Sequence, residues 1–255
     1  MRDNDLLLET LNLKPETLLM NNDHSKIVGQ FFGDKWALYQ KAIRGNVLCH
    51  EQMFGTLDRL LIQTFENRPF SFADFGCGDS SAILDVLRTK NLNHYIGVDA
   101  AEELIEKAEK TLEPLTCPKT LVCDDMARAI TNLDFKSDVI FCSYSLHHLL
   151  PEQKSAFIEK AFERLNPSGY FILIDGFRSN GETRDQWLHR LEQRFLTLVP
   201  GFTAEDTEEI MKHPRASDHP ETISAFRAIA AKSPWQSFEV LFERDNFLAL
   251  CLFVK

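Results

Sequence analysis

The stretch Phe70–Ser80, with the sequence FSFADFGCGDS, decides the fold. Its apolar half predicts a buried strand, and its two glycines predict a sharp turn, because glycine adopts backbone conformations that other residues avoid. A helical pattern follows at once, with Ile83, Leu84 and Leu87 on one face. A strand that turns into a helix in this way presents bare backbone at the helix N-terminus, where a ligand can lie against it.

A second predicted strand, at 94–98, ends on Asp99, which lies 21 residues after Gly78. In a βαβ unit a carboxylate at this position indicates a nucleotide ribose. A dinucleotide fold would place a third glycine at position 81, where this chain has Ser81, and the acidic Asp74 precedes the first glycine. Since a carboxylate repels a pyrophosphate and attracts an ammonium group, these residues favour a nucleoside-containing cofactor other than a dinucleotide.

Two more motifs complete the pattern. The residues Asn-Pro-Ser-Gly at 166–169 precede an apolar strand, and the chain closes with two strand-like runs at 238–242 and 247–254. With these motifs in this order, the sequence resembles the class I S-adenosylmethionine-dependent methyltransferases over roughly residues 71–175 and the closing hairpin. Two positions depart from the family pattern: Ser80 replaces its third glycine, and Ser168 replaces the first of its paired glycines.

The resemblance implies an α/β fold with a Rossmann-like, seven-stranded, mostly parallel sheet, an antiparallel C-terminal hairpin and a helical cap. The expected parts are an N-terminal helical cap segment at 1–69, a cofactor-binding core at 70–176, a helical lid insertion at 177–236 and the hairpin at 237–255. Strands are predicted at 70–74, 94–98, 119–122, 138–142 and 170–175, and insertion helices near 184–198, 204–211 and 221–231. We interpret the insertion as a lid because it is far longer than an ordinary connection and follows the strand end that faces the ligand crevice.

The resemblance also implies that the cofactor is S-adenosylmethionine. Asp74, Gly76 and Gly78 correspond to its methionine-binding loop, and Asp99, with Ala100 beside it, to the ribose site; capping of the next helix is the alternative for Asp99. Asp125 and Met126 correspond to the adenine site, with Asp124 nearly as good for the acid and either aspartate able to cap the following helix. Ser143 and Tyr39 complete the expected set.

Strand 4 runs into the segment Ser143–His148, which the family places beside the reactive methyl group. Tyr144 is predicted to wall the sulfonium or to touch the acceptor. His148 is the preferred base, since a hydroxyl or amine acceptor needs a group that titrates near neutrality; packing or helix capping is the alternative. His147, His213 and His219 are the reserves.

The remaining polar residues allow two interpretations each. The segment 213–221 is predicted to be a surface loop or the edge of a lid that supplies a histidine to the substrate. Arg178 and Arg184 either pair with an anionic acceptor or flank a helix, and Trp36 and Tyr39 either close over the cofactor or pack in the core. No metal site is predicted, because the adjacent His147 and His148 point in different directions; metal binding by His213, His219 and Asp218 is a further alternative for the segment 213–221.

Composition narrows the class of protein. The chain has 255 residues, of which 44% are hydrophobic and 26% charged, as expected for one globular domain without a membrane span. A net charge of −10 argues against nucleic acid as the partner. Twenty phenylalanines indicate an aromatic-rich core or a roomy apolar pocket, and six cysteines without a C-x-x-C pair suit the cytoplasm.

The sequence therefore predicts a cytoplasmic methyltransferase that acts on a small, partly apolar acceptor through oxygen, nitrogen or carbon. An enzyme that modifies tRNA or protein is one alternative, and a non-catalytic S-adenosylmethionine-binding protein is another. A nicotinamide-dependent dehydrogenase is disfavoured by Asp74, Ser81 and the closing hairpin.

Overall fold

A computed structural model describes residues 45–198 and 202–255. Seven strands form one sheet in the order β3-β2-β1-β4-β5-β7-β6. The strands are β1 (Phe70–Phe75), β2 (Leu92–Asp99), β3 (Lys119–Cys123), β4 (Ser137–Ser143), β5 (Leu165–Gly176), β6 (Ser237–Arg244) and β7 (Leu248–Val254). Strands β1 to β5 pair in parallel, whereas β7 runs antiparallel to both β5 and β6. The predicted fold class, including its C-terminal hairpin, is confirmed.

Helices cover both faces of this sheet, as a mostly parallel sheet requires. They are α1 (His50–Phe65), α2 (Ser81–Leu87), α3 (Glu102–Thr111), α4 (Met126–Asn132), α5 (Pro151–Arg164), α6 (Arg184–Leu198), α7 (Ala204–Ser217) and α8 (Ile223–Lys232), with a short 3₁₀ turn at Leu146–His148. None of the helices within the described ranges is long and apolar enough to cross a membrane. The helices predicted before residue 45, including the segment with Trp36 and Tyr39, lie outside the described residues.

Phenylalanines fill the interior on both sides of the sheet. Every position of β1 is buried, and its Phe72 and Phe75 pack against different aromatic partners on the two faces: Phe72 against Phe141, and Phe75 against Phe157. The predicted aromatic-rich core is confirmed. Because both faces of β1 are covered, the strand is accessible only at its carboxyl end, where the loops lie.

The strand order reverses between β1 and β4, since β2 and β3 lie on one side of this point and β5 on the other. In open α/β sheets, ligands bind at this kind of switch point, outside the carboxyl ends of the strands. The glycine turn after β1 and the segment after β4 meet here, so the topology itself selects the place to look for a site.

One predicted loop proved wrong. Helix α7 continues through Pro214 to Ser217, where a surface loop beginning at His213 was expected. The guanidinium of Arg184 donates to the carbonyl oxygens of Pro214, Arg215 and Asp218 at this helix end, where that of Pro214 also accepts from the backbone N–H of Asp218. The polar residues of this segment therefore belong to a buried helix end, and their polarity was misread as solvent exposure.

Candidate active site

The turn after β1 is held in a conformation that favours glycine. Gly76 has φ +75° and Gly78 has φ +54°, and Ser80, at the position of the family's third glycine, also has a positive φ of 58°. A Cβ atom at Gly76 would collide with the side chain of Ser145, so the β4 segment packs directly on the turn. The turn therefore needs glycine at Gly76 for close packing as well as for backbone conformation.

Asp99 ties this turn to the end of β2. Its carboxylate accepts hydrogen bonds from the backbone N–H groups of Gly78 and Ala101, each at 2.9 Å. Ala101, and not Asp99, is the N-cap residue of α3. Each carboxylate oxygen can accept a second hydrogen bond, so Asp99 keeps acceptor capacity for a ligand hydroxyl while it holds the turn.

Asp74 is a buried carboxyl group with one satisfied oxygen. Tyr95 donates to Oδ2 at 3.2 Å, and within the described ranges Oδ1 has no hydrogen-bond partner. Burial raises the pKa of Asp74 from 3.8 to about 7, against the opposing effect of the Tyr95 hydrogen bond. A buried acceptor without a donor costs free energy unless a ligand supplies one, so this carboxyl group fits an ammonium-bearing ligand.

The two aspartates after β3 have separate tasks. Asp125 is the N-cap of α4 and accepts from the backbone N–H of Arg128 at 3.0 Å, while Asp124 pairs with the Arg128 side chain. Met126 lies beside the glycine turn, because a Cβ at Gly76 would be 3.4 Å from its Cε atom. The cap that the sequence left open between Asp124 and Asp125 is therefore provided by Asp125.

A first cavity of about 560 Å³ lies over the glycine turn. Predicted site residues line it together with residues of α1, α2 and α3: His50, Phe54, Gly76, Cys77, Gly78, Asp79, Ser81, Ala82, Asp99, Leu104, Ser143, Tyr144 and Ser145. Tyr39, which the sequence also assigned to the cofactor site, lies outside the described residues. We call this space the glycine-turn cavity.

A second cavity of about 590 Å³ has mostly apolar walls. The chain segment before α1, the ends of β4 and β5, helices α6 and α7, and the start of β7 supply its lining: Leu48, Tyr144, His147, Gly176, Trp187, Leu191, Phe195, Ile210, His213, Pro214, Asp218, Phe247 and Leu248. We call it the apolar cavity. Trp187, which no sequence pattern singled out, lies over Gly176: a Cβ atom on Gly176 would be 2.9 Å from Cζ2 of Trp187.

Tyr144 lines both cavities. Its backbone has a positive φ of 48°, its ring lies 4.7 Å from the ring of His50, and its hydroxyl donates to the carbonyl oxygen of Leu48 at 2.5 Å. These contacts fix the ring at the boundary between the two spaces. That Tyr144 walls the sulfonium or touches the acceptor stays a prediction.

The polar end of the apolar cavity is a buried group of histidines and aspartates. His147 Nδ1 lies 2.5 Å from Asp175 Oδ1, and its Nε2 lies 3.6 Å from Asp218 Oδ2. His148 Nδ1 and His213 Nε2 lie 3.2 and 3.8 Å from Asp218 Oδ1. We call His147, His148, His213 and Asp218 the histidine–aspartate cluster, with Asp175 behind it.

Charges within the cluster oppose the effect of burial. Burial alone would lower the pKa of His147, but the carboxylates of Asp175 and Asp218 outweigh it and raise this pKa to about 9. Burial would likewise raise the pKa of Asp218, and the neighbouring imidazoles of His147 and His148 hold it well below its ordinary value. For His148, burial and the charge of His147 together lower the pKa.

The predicted histidines differ in their access to the apolar cavity. His147 and His213 line it, whereas His148 is 8% exposed and, in the part of the chain described, contributes to the lining of neither cavity. Asp175 was not predicted as a site residue, although an acid at the carboxyl end of a central strand could have indicated it. Arg178 and Arg184 donate to backbone carbonyl oxygens of the insertion, and Arg184 is the first residue of α6; pairing of either with an anionic acceptor stays a prediction.

Comparisons with known proteins agree with this geometry. A family model described as a methyltransferase domain matches residues 72–169. A carboxy-S-adenosyl-L-methionine synthase of Actinobacillus succinogenes is 28% identical over 142 residues, which are 53% of this chain and 57% of that protein. An uncharacterized methyltransferase of Oceanobacillus iheyensis is 27% identical over 69% of this chain and 78% of its own length.

Solved structures share the fold over nearly the whole chain. Magnesium protoporphyrin IX methyltransferase from Synechocystis, with bound S-adenosylmethionine, aligns with a TM-score of 0.60 at 18% identity, covering 91% of this chain and 97% of that one. The plantazolicin methyltransferase BpumL, in complex with a triazolic desmethylPZN analog and SAH, aligns with a TM-score of 0.65 at 17% identity, covering 95% of this chain and 99% of that one. The match to the synthases, by contrast, spans little more than half of their length.

The sheet order, the glycine turn and the acid at the end of β2 thus define a nucleoside-binding domain of the Rossmann-like methyltransferase type. Residues 72–169 match the methyltransferase-domain model, and the fold and the homologues support a class I S-adenosylmethionine-dependent methyltransferase.

Proposed function

We propose that the protein transfers a methyl group from S-adenosylmethionine in the glycine-turn cavity to a small, largely apolar molecule in the apolar cavity. The observation that carries this proposal is the shared wall: both cavities are lined by Tyr144. When bound, S-adenosylmethionine supplies a methyl group already activated on a sulfonium. The chain's own residues then have to hold the cofactor and the acceptor, align them for the transfer and exclude water.

The binding roles follow from the contacts described above. Asp74 offers an unpaired buried oxygen to an ammonium group, and Asp99 offers its remaining acceptor capacity to ribose hydroxyls. Met126 lies beside the turn, where it would pack against the adenine ring, and Asp125 and Ala100 keep the cofactor-binding roles that the sequence assigned to them. Ser143, at the end of β4, lies in the wall next to Tyr144.

The acceptor's chemistry follows from the second cavity. Trp187, Leu191 and Phe195 from α6 and Ile210 from α7 provide apolar walls, and His147, His213 and Asp218 form one polar end. Such a space suits a molecule with an apolar body and one polar group directed at that end. We propose that this polar group is the methylated one or its neighbour.

Proton removal by His148 stays a prediction from the sequence. His147 and His213 are better placed to touch an acceptor, because both line the apolar cavity. The net charge of −10 also supports a small acceptor over tRNA.

A second candidate function is the synthesis of a carboxylated form of the cofactor. Its support is the similarity to several proteins named as carboxy-S-adenosyl-L-methionine synthases, at 27–29% identity over about half of this chain. In that case the nucleoside itself is the product, and the apolar cavity holds the donor of the carboxyl group.

One experiment separates these functions. The purified protein is incubated with S-adenosylmethionine carrying a ¹³C-methyl group and with a metabolite extract fractionated by hydrophobicity, and both nucleosides and products are followed by mass spectrometry. A labelled small molecule together with S-adenosylhomocysteine supports methyl transfer, and a carboxylated nucleoside supports the second candidate. Cofactor binding without either product, or label that appears only in tRNA or protein, contradicts the proposal. Asp99→Ala serves as the control for signal that depends on the cofactor.

A further inference from the structure

The histidine–aspartate cluster is more than the polar end of a pocket. Two chain segments bring it together: the 3₁₀ turn after β4 supplies His147 and His148, and α7 supplies His213 together with Asp218 at its C-cap. All four side chains are mostly buried, and Asp218 is only 3% exposed. A sequence that only needed a rigid helix end would not need four ionisable groups in one buried place.

The spacing of the donor atoms matches that around a metal ion. One donor atom from each of His147, His148 and Asp218 lies within 4.8 Å of the others. His148 Nδ1 lies 3.2 Å from Oδ1 of Asp218, and His147 Nε2 lies 3.6 Å from its other oxygen, Oδ2. Ligand atoms bound tetrahedrally to zinc at about 2.0–2.1 Å lie about 3.3 Å apart, so small adjustments would bring these atoms onto one ion.

Asp175 orients His147 from behind. Its carboxylate accepts from Nδ1 of His147 at 2.5 Å and is itself fixed by the backbone N–H groups of His147 and Gly176 at 3.0 and 2.8 Å. When Nδ1 carries this proton in the neutral ring, Nε2 presents its lone pair toward Asp218. A carboxylate behind a histidine that faces other ligands is the arrangement that orients metal-binding histidines in proteins.

Ser217 orients His213 in the same sense. Its hydroxyl donates to the carbonyl oxygen of His213 at 2.7 Å and so presents a lone pair to Nδ1 of the same residue, 3.1 Å away. Nε2 of His213 is the ring atom nearer to Asp218, at 3.8 Å. Because His213 also lines the apolar cavity, its ring lies where it can contact a molecule bound at the cluster.

A metal ion would replace charge that the cluster already holds. Asp175 and Asp218 are two buried carboxyl groups within reach of the same imidazoles. The proton that His147 carries between them and the nearby buried ammonium of Lys154, which donates to the carbonyl oxygens of Leu149 and His219 at 2.5 Å each, balance these carboxylates in the metal-free protein. A divalent ion would displace a proton from His147 and keep both carboxylates balanced.

From these contacts we infer that His147, His148 and Asp218 bind one divalent first-row metal ion, best suited to zinc, at the polar end of the apolar cavity. Two imidazoles and one carboxylate are a ligand set that zinc accepts while it keeps a fourth position open. That position faces the cavity side of the cluster, where His147 and His213 lie. The ion would bind an oxygen or nitrogen of the acceptor there; this role rests on the proposed function, whereas metal binding itself does not.

The test uses the full-length protein without acceptor or cofactor. The protein is stripped with a chelator, dialysed, and titrated with Zn²⁺ by calorimetry and with Co²⁺ by visible absorption. We expect one equivalent per chain, a tetrahedral Co²⁺ spectrum and a raised melting temperature. Asp218→Ala and His147→Ala should each weaken binding by about 100-fold or more, and Asp175→Asn by about 10–100-fold because it acts through His147. His189→Ala, which removes an exposed histidine of α6, is the matched control and should bind like the wild type.

Wild-type protein that binds neither ion stoichiometrically, with a native circular dichroism spectrum, overturns the inference. Wild-type affinity in a folded Asp218→Ala variant also overturns it, and so does loss of binding in His189→Ala. If the cluster variants fail to fold, anomalous diffraction from wild-type crystals soaked in Zn²⁺ decides the matter, since the ion must lie between His147, His148 and Asp218. Because no step measures methyl transfer, failure here leaves the proposed function standing, and failure of methyl transfer leaves the metal site standing.

Discussion

The two cavities on either side of Tyr144 are built in different ways. The glycine-turn cavity draws much of its wall from one short run of sequence, Gly76–Ala82, completed by Asp99 and by the segment that follows β4. The apolar cavity takes its wall from distant parts of the chain, from Leu48 near the start of the described region to Leu248 in the last strand. The first is a local structure fixed by backbone conformation, whereas the second exists only after the insertion has packed on the sheet.

This difference separates what is common to the family from what is particular to this chain. A nucleoside is held by backbone conformation and one or two carboxylates, so the same few residues suffice wherever the cofactor binds. Shape and polarity in the apolar cavity depend on side chains of α6 and α7. The comparison predicts that substitutions in one cavity change one ligand's binding and leave the other's largely unchanged.

The largest expected effect is in the glycine-turn cavity. Asp99→Ala should weaken S-adenosylmethionine binding by about 2–3 kcal/mol, or about 30–150-fold, because ribose hydroxyls lose a charged acceptor. Calorimetric titration measures it. The comparison breaks if the folded variant binds the cofactor with wild-type affinity, because the ribose would then lie elsewhere. Asp79→Ala, in the same wall, is the control and should have a small effect.

The next effect concerns the apolar cavity. Gly176→Ala places a methyl group 2.9 Å from Cζ2 of Trp187 and pushes that ring toward the acceptor space. We expect kcat/KM for the acceptor to fall by about tenfold, the scale of modest overpacking, while cofactor affinity stays unchanged. Gly55→Ala in α1 is the matched control, since its new Cβ meets nothing closer than Arg59 at 3.8 Å. An equal loss of cofactor affinity in Gly176→Ala would mean that the two cavities are not independent.

The third prediction uses the pKa of Asp74, which burial raises from 3.8 to about 7. An ammonium ligand prefers the ionised form, so cofactor affinity should rise by about fivefold between pH 6 and pH 7. The folded-state pKa lies above the unfolded value, so this same group should make the free protein less stable as pH rises from about 4 to 7.

Opposite slopes of affinity and stability over this pH range are the signature of Asp74. Calorimetry across pH gives the first slope and chemical denaturation gives the second, and Asp74→Asn should flatten both. An unchanged pH dependence of binding in Asp74→Asn would assign the titration to another group and remove Asp74 from the ammonium site.

The sequence was a good guide wherever the determinant was local. Helix α6 has the predicted bounds Arg184–Leu198, and the glycine turn and the hairpin lie where their residues indicated. The histidine–aspartate cluster was out of reach because Asp175 and Asp218 come together only through the packing of α7 on the sheet. Its polar residues suggested a solvent-exposed loop, since nothing in the sequence shows that their partners lie on another element.

The segment before β5 shows a second limit. A turn was expected at 166–169, yet β5 begins at Leu165, which pairs with Ser137, and the extra residues form an irregularity within the strand. Ser168 has a positive φ of 60° there, a conformation that favours glycine. The position of Ser168 in the motif indicates this backbone conformation, whereas the residue type, serine, does not.

The smallest effect compares the two serines that stand where the family has glycine, Ser80 and Ser168. Both have φ near +60°, a conformation that costs a residue with a side chain about 1 kcal/mol or more. A glycine at the same position avoids this cost, but its unfolded chain has more conformational freedom to lose, which offsets part of the gain in stability. Ser168 is exposed and lies near the start of β5, far along the strand from both cavities, so Ser168→Gly should stabilise the protein by up to about 1 kcal/mol. Ser80 is buried and its hydroxyl lies 3.1 Å from that of Tyr95, so Ser80→Gly loses a hydrogen bond of about the same free energy and should leave stability nearly unchanged.

Urea denaturation of both variants, with cofactor titration of each, measures the contrast. Equal stabilisation by the two substitutions would mean that the Ser80–Tyr95 contact contributes nothing, and a loss of cofactor affinity in Ser168→Gly would show that the amino end of the sheet is coupled to the glycine turn.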